Sequence, residues 1–375
     1  MAGTIFAREL APAHARRVEF ARATAADDAD LRRLLRENPM AGQISLSLER
    51  EPDFFAAFCG AEQQTIVARE GGRLACAGWC VFRKRFVNGT PRRVGYLGGL
   101  RLDRRFAGRF DLVRRGYEFF HELQRERPAE FYFTSIAADN DRARRLLERG
   151  LPGLPRYTPL AEFVTVLLPV PTGGCRSCTP AHVATGGGEW TAVVSQLAGH
   201  NHREQLAPNW SAAELSSLAR HGLAAADVCS VNVAGETAFA ALWDQRGFKQ
   251  TIVRGYRRAL RLARPLLNAA ARLLGRPGLP RVGEPLAHAF VSQLSVTPEN
   301  SAALRALVAE LFVRAGARGV AFLTLGFDAR DPRLATVRRH FRGHEYRSRL
   351  YAVGWDDLPS LRLDDGLCAP EVALL

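Results

Sequence analysis

Along the first half of the chain, short apolar runs of strand character alternate with amphipathic segments of helical period. Val18 to Ala23 (VEFARA) reads as a strand, and Thr24-Ala-Ala-Asp27 after it spells a capping box. The helix it opens carries Leu31, Leu34 and Leu35 on one face. Gln64 to Arg69 is a short strand closed by the turn Glu70-Gly71-Gly72-Arg73. Leu74 to Phe86 is a longer one, and Asn88-Gly89 behind it is a strong hairpin signal that returns the chain as a strand from Arg93 to Leu102. A helix from Asp111 to Arg127, a strand from Glu130 to Ile136, a helix from Asn140 to Arg149 and an apolar strand from Glu162 to Leu168 complete the series. The order β-α-β-β-β-α-β-α-β predicts a mixed α/β sheet with helices on its faces.

Pro169 to Gly188 is rich in Pro, Gly, Ser and Thr and marks a boundary. Beyond it the pattern returns. Ser211-Ala-Ala-Glu214 caps a helix, and Ser230 to Val233, Ala238 to Trp243 and His288 to Val296 read as strands. The helix Pro298 to Ala315 precedes the strand Val320 to Leu325. Asp331-Pro332 starts another helix, and Arg347 to Trp355 is the closing strand. Two alignments point to an internal repeat: Leu100-Arg-Leu102 with Leu294-Ser-Val296, and Phe133-Thr134 with Leu323-Thr324. The expectation is two domains of one fold, residues 1–168 and 169–375.

Composition changes the picture in a few places. At 375 residues and 47% apolar, the chain is long enough for two domains with real cores. The longest apolar run, Phe163 to Val170, is strand-sized and far short of the ~18–20 residues that span a bilayer. The first residues lack the apolar block of a signal peptide, so a cytoplasmic protein is expected. The net charge of +14 is almost all arginine, Lys84 and Lys249 being the only lysines. Such a surplus suits a phosphorylated cofactor. Nucleic acid fits less well, because the arginines are scattered and no aromatic residues are interleaved to stack bases. Cys59, Cys76, Cys80 and Cys229 sit in apolar surroundings and read as small hydrophobes. Cys175 and Cys178 form a lone Cys-x-x-Cys without two further ligands, so no metal site is expected.

The segment that carries chemistry is Val94 to Phe110, VGYLGGLRLDRRFAGRF: an apolar strand, a basic Gly-containing turn, then a helix. Backbone N–H groups at such a turn, aided by the helix dipole, make a ready phosphate site. Gly108 permits close approach, Arg104, Arg105 and Arg109 supply charge, and Gly98-Gly99 suggests a bulge or a close contact.

This segment resembles the acyl-CoA signature of the GNAT N-acetyltransferase superfamily, a strand ending Leu-x-Val followed by Arg-x-x-Gly-x-Gly/Ala and a helix. Asn140-Asp-Arg-Ala143, with Leu146, Leu147 and Glu148 behind it, resembles that superfamily's second motif, and the likeness covers roughly residues 18–168. The resemblance implies acetyl-CoA, or another acyl-CoA, with its pantetheine arm between the strands at Val94–Leu102 and Glu130–Ile136. Leu100, Arg101 and Leu102 would meet the pantetheine. Arg105, Ala107, Gly108, Arg109 and Phe110 would line the pyrophosphate. Asn140 would touch the pantetheine or cap its helix, and Ala143 would leave room for the cofactor. Phe110 stands where Gly or Ala is usual, and Leu147 where the general-acid tyrosine falls. Leaving-group protonation would therefore pass to Tyr132, Ser135, Tyr157 or water. No catalytic side chain is diagnostic.

The second copy lacks this equipment. Thr-Pro-Glu-Asn follows Leu294-Ser-Val296, and Arg330 stands where Asn140 stood, so a degenerate domain is expected. Leu242-Trp-Asp-Gln-Arg246 is a polar cluster that either faces a cleft or forms a hairpin with a buried Trp. Arg254 to Arg276 alternates Arg and Leu around Pro265, either as a basic amphipathic helix for an anionic membrane surface or as an insertion packed on its own domain. The acceptor pocket is expected from Pro39–Phe58 and the closing strand, where Glu49 and Glu51 could attract an amine or sit at a solvated helix end. The implied layout is that of tandem members such as mycothiol synthase. The implied activity is direct acyl transfer to an amine of a small molecule or peptide, the alternative being a non-catalytic acyl-CoA-binding or scaffolding protein.

Overall fold

The computed structural model describes residues 18–171, 183–185, 190–233, 235–356 and 361–375. Most of the Pro/Gly-rich boundary, with Cys175 and Cys178, lies outside the described residues. Local signals hold in the first half. β1 (Val18–Arg22) ends at the expected capping box, where the Asp27 carboxylate accepts from the Thr24 N–H at 2.7 Å. α1 (Asp28–Glu37) buries Leu31, Leu34 and Leu35, each contributing ~1.5–3 kcal/mol. β2 (Ile44–Glu49) is followed by β3 (Glu62–Glu70), β4 (Arg73–Val87) and β5 (Thr90–Leu102). Asn88 and Gly89, at φ 52° and 73°, make the tight β4–β5 turn. Then come α2 (Phe110–Gln124), β6 (Phe131–Ala137), α3 (Asp141–Leu147) and β7 (Arg156–Pro169).

The second half contributes β8 (Val183–Thr185), α4 (Trp190–Asn201), α5 (Ala212–Ser217), β9 (Val228–Val233), β10 (Glu236–Trp243) and β11 (Gln250–Tyr256). α6 (Arg258–Leu273), β12 (His288–Ser295), α7 (Ser301–Ala317), β13 (Phe322–Asp328), α8 (Pro332–His340) and β14 (His344–Gly354) complete it. Ser211 and Glu214 cap α5 reciprocally, at 2.8 and 3.2 Å.

Among the described residues twelve strands form one mixed, mostly antiparallel sheet in the order β1-β3-β4-β5-β6-β14-β7-β13-β12-β10-β9-β8. The last strand of the chain, β14, lies between β6 and β7, while β7 pairs on its other side with β13. The two halves are thereby interlocked: each half's sheet is continued by a strand that comes from the other. The single parallel pairs, β5 with β6 and β12 with β13, stand symmetrically about that centre. α2 and α7 pack on one face of the sheet, α1, α4 and α5 on the other. A separate two-stranded sheet, β2 with β11, ties the halves together on the α1 side.

α6 runs unbroken through Pro265 and none of its residues is buried; Leu262, Leu266 and Leu273 are 69, 77 and 90% exposed. Trp243, from the polar cluster of the second half, is fully buried, with its indole N–H donating to the His221 carbonyl at 2.6 Å. Among the described residues no helix is long and apolar enough to cross a membrane.

Candidate active site

Parallel pairing between β5 and β6 stops at Leu97 and Thr134, where the Thr134 hydroxyl donates to the Leu97 carbonyl at 2.6 Å. Beyond that point the strands diverge, and no hydrogen bond among the described residues bridges them. The divergence coincides with a bulge. Gly98 pairs with Trp79 and Arg101 with Ala77, so Gly99 and Leu100 together face Gly78 alone. Gly99 has φ 60°, and a Cβ there would lie 1.7 Å from the Trp79 ring. The glycine pair is thus both the bulge and the close contact that the sequence suggested, the contact being an indole of the chain itself.

The second half repeats this geometry. Ser292 pairs with Ala241 and Ser295 with Phe239, leaving Gln293 and Leu294 against Ala240, with Gln293 at φ 54°. The alignment of Leu100 with Leu294 therefore holds to the residue. The alignment of Phe133-Thr134 with Leu323-Thr324 is one residue out, since Thr324 pairs with Phe290 as Phe133 pairs with Tyr96.

The two diverging gaps differ in what they hold. In the second half the C-terminal segment fills the gap. Cys368 bridges to Gln205 and its N–H donates to Asp328 at 3.0 Å, while the Glu371 carboxylate takes the bulge N–H of Gln293 at 3.1 Å. What remains is a cavity of about 60 Å³, room for a few waters, beside a buried network in which Arg333 joins Asp331 and Glu204. In the first half no side chain among the described residues takes the matching Gly99 N–H.

The sequence-derived site residues fall around the first gap. Leu100 and Leu102 pack half-buried on Cys76 and Leu112, and the Arg101 guanidinium donates to the Leu100 carbonyl at 3.1 Å. The turn that follows is more self-contained than expected. The N–H groups of Phe106, Ala107, Arg109 and Phe110 all donate to carbonyls within the turn, whereas the Gly108 N–H has no acceptor among the described residues. Gly108 itself, at φ 90°, faces open space.

Two of the three arginines here are also committed. Arg105 holds Asp103 at 2.9 Å, keeping that carboxyl below its usual range. Arg109 clamps Asp111 through two 2.8 Å contacts and reaches Glu70 at 3.2 Å. Arg104 has no carboxylate partner among the described residues. Ala107 and Phe110 are exposed. Asn140 caps α3, its side-chain oxygen accepting from the Ala143 N–H at 3.2 Å, and Ala143 packs toward the α2 core.

The candidate proton donors are engaged elsewhere. The Tyr132 hydroxyl donates to Gln124 at 3.1 Å, and Tyr157 shares a 2.5 Å hydrogen bond with Tyr117. Burial pushes both phenols up. Leu147 is a core residue beside them, and Ser135 is half-buried on β6. On the acceptor side Glu49 is buried in an ion pair with Arg254, and Glu51 pairs with Arg32 and Arg36. Neither is free to attract an amine. Sequence reasoning missed Arg50 and Arg83, whose guanidinium groups lie on the aromatic cluster around Trp79 and on Trp210. The signal available for Arg83 was the period of two along Trp79, Val81, Arg83 and Arg85 on one face of β4.

No family model and no curated protein matches this sequence. Solved structures do. A GCN5-related N-acetyltransferase from Sphaerobacter thermophilus aligns at TM-score 0.54 and 15% identity, over 89% of this chain and 95% of that one. N-myristoyltransferase from Saccharomyces cerevisiae, in a structure with bound myristoyl-CoA, aligns at TM-score 0.57 and 10% identity, over 95% and 86%. The chain therefore has the GNAT fold along most of its length.

Proposed function

We propose that this protein is an acyl-CoA-dependent N-acyltransferase made of two copies of one unit, residues 1–168 and 169–375, with the donor bound in the first copy only. The observation that carries the reading is the pair of matched bulges. In the second copy the bulge N–H is already occupied by the Glu371 carboxylate oxygen. In the first copy no side chain among the described residues takes the equivalent N–H, at Gly99, and pairing between β5 and β6 stops at Leu97 and Thr134.

The strand edges beyond that point suit the amides of a pantetheine arm, and the Gly99 N–H suits the thioester carbonyl oxygen. A preorganised donor at that oxygen stabilises the negative charge that develops when an amine attacks the carbonyl carbon. Leu100 and Leu102 flank the arm. The Gly108 N–H and Arg104 are the turn's free groups for the pyrophosphate, because Arg105 and Arg109 are neutralised by carboxylates of the chain. Support for the donor class comes from the fold neighbour holding myristoyl-CoA. Acetyl-CoA is the first donor to test, and the acceptor is an amine of a small molecule or peptide.

The test is release of free CoA thiol from acetyl-, octanoyl- and myristoyl-CoA in the presence of amine panels. Thiol release that depends on both donor and amine is the expected result. Absence of amine-dependent release with every donor overturns the proposal.

A further inference from the structure

Many arginines among the described residues pair with carboxylates, the buried Arg333 included. Four cations packed inside the fold do not. Arg50, Arg83, Arg85 and Lys249 make no ion pair among the described residues, although Arg50 is 7% exposed and Arg85 only 1%. Among the described residues their hydrogen bonds all go to backbone carbonyls. The Arg50 guanidinium lies over Trp79, Phe58 and Phe54 at 3.9, 4.4 and 4.6 Å, with one long 3.4 Å contact to the Phe54 carbonyl. Arg83 donates to the Phe58 carbonyl at 3.0 Å, and Lys249 to that of Ala373 at 3.1 Å. Arg85 is the best satisfied, donating to the Leu206 and Pro370 carbonyls at 2.7 Å.

Gathering like charges in an interior is the reverse of what stability favours, since buried ions are normally paired or displaced. Arg50 and Arg83 both meet Phe58, and the Trp210 ring under Arg83 and the Ala373 that accepts from Lys249 pack in one cluster with Cys59, on whose thiol all three charges act. Burial foremost, then Arg50 and Arg83, push Lys249 down to about 8, and burial pushes Arg50 and Arg85 down to about 9. Two carboxylates act on the group: Glu214, which caps α5 at Ser211, on Arg83, and Glu371 on Arg85. Burial raises Glu371 to about 7 and its oxygen is committed to the Gln293 N–H, so it does not neutralise the group. Arg83 and Lys249 are half-buried, whereas Arg50 and Arg85 are fully buried. The cluster lies on the same side as Trp79, the indole that rests on the Gly99 bulge.

We infer that Arg50, Arg83 and Lys249 form the acceptor subsite and bind an oxyanionic group, a carboxylate or a phosphate, carried by the amine that is acylated. The inference rests on the acyl-transfer reading above and narrows it to acidic amines. The oxyanion supplies the missing counter-charge. The residual positive field disfavours an ammonium ion, so the acceptor loses its proton to solvent before attack. The amine nitrogen then bonds to the thioester carbonyl carbon, the carbon–sulfur bond breaks, the CoA thiolate leaves with the electron pair, and the new amide nitrogen gives its second proton to that thiolate through solvent.

Thermal unfolding of the full chain tests this, because a ligand that binds only the folded state raises the midpoint. A panel of amino acids and aminoalkyl phosphates is compared, at matched ionic strength, with the corresponding amides and amino alcohols, and acetyl-CoA is run alone as a separate arm. The expected result is a rise with one or more of the acidic amines, none with their neutral counterparts, and loss of that rise in Arg83→Gln and Lys249→Gln. The acetyl-CoA shift should persist in both variants and shows that they are folded. If carboxylates alone act, the acceptor is amino-acid-like; if phosphates alone act, it is a phosphorylated amine. Equal shifts with neutral analogues, or no shift with any acidic amine while acetyl-CoA stabilises, overturn the inference. A missing acetyl-CoA shift in the wild type counts against the acyltransferase reading instead.

Discussion

Replacing Gly99 by alanine separates two costs that the structure assigns to different places. At φ 60° any side chain is held in the left-handed region, which costs ~1–2 kcal/mol. The new Cβ would also lie 1.7, 1.9 and 2.2 Å from three atoms of the Trp79 ring, so the indole must move off its seat. Overpacking of that kind costs a further ~1–3 kcal/mol. The sum is ~2–5 kcal/mol. Gly108→Ala is the matched control: φ is also positive, at 90°, but nothing lies within 4 Å of the added carbon. It should cost only the backbone part, ~1–2 kcal/mol. Urea unfolding followed by tryptophan fluorescence and far-ultraviolet circular dichroism reads both. Gly99→Ala should lie below Gly108→Ala by at least ~1 kcal/mol, and it should alter the tryptophan signal of the folded state. Equal midpoints and an unchanged folded spectrum would refute the claim that the indole locks the bulge.

Three further outcomes follow from the packing. His288 is half-buried between the Thr251 and Thr324 hydroxyls, and burial holds it near 4. The unfolded chain takes up that proton near pH 6.5, so stability is complete above 6.5 and drains as pH falls toward 4, by at most ~3 kcal/mol; His288→Gln should flatten that limb of a stability–pH curve. Arg333→Met strands Glu204 and Asp331 as buried charges and should cost ~3–5 kcal/mol in denaturant, whereas an effect near zero would show that the network is solvated. Asn88→Ala removes the side chain that accepts from Gln205 at 3.1 Å and the Asp364 N–H at 2.9 Å, as well as a left-handed residue. It should cost ~1–3 kcal/mol and speed hydrogen exchange across residues 361–375.

What the sequence disclosed is what local chemistry decides. The Thr24–Asp27 and Ser211–Glu214 boxes, the Asn88-Gly89 turn and the leucine face of α1 are set by residues within a turn of one another, and each lies where the pattern put it. Ile44–Glu49, ISLSLE, has the alternation of a strand, yet its partner β11 lies some two hundred residues on, and β2 escaped notice. The insertion of β14 between β6 and β7 is likewise invisible, because register is fixed by a partner that the strand itself does not name. At the site, the diverging strands and the bulge were legible from Gly98-Gly99 and the Leu-x-Leu segment. The neutralised arginines were legible too: Asp103 and Asp111 stand two residues from Arg105 and Arg109. The buried cations were not, since Arg50, Arg83 and Lys249 come from three separate elements and meet only in the fold.

The central claim is one donor site, in the first half only. Calorimetric titration of the full chain with acetyl-CoA and a longer acyl-CoA, beside a folded Gly108→Trp variant, tests it most directly. The account predicts saturation at one equivalent per chain and loss of binding in the variant, whose added side chain occupies the open turn before α2. Saturation at two equivalents would contradict it, because the gap filled by Cys368 and Glu371 would then be a second site. No binding by the folded wild type would contradict it outright.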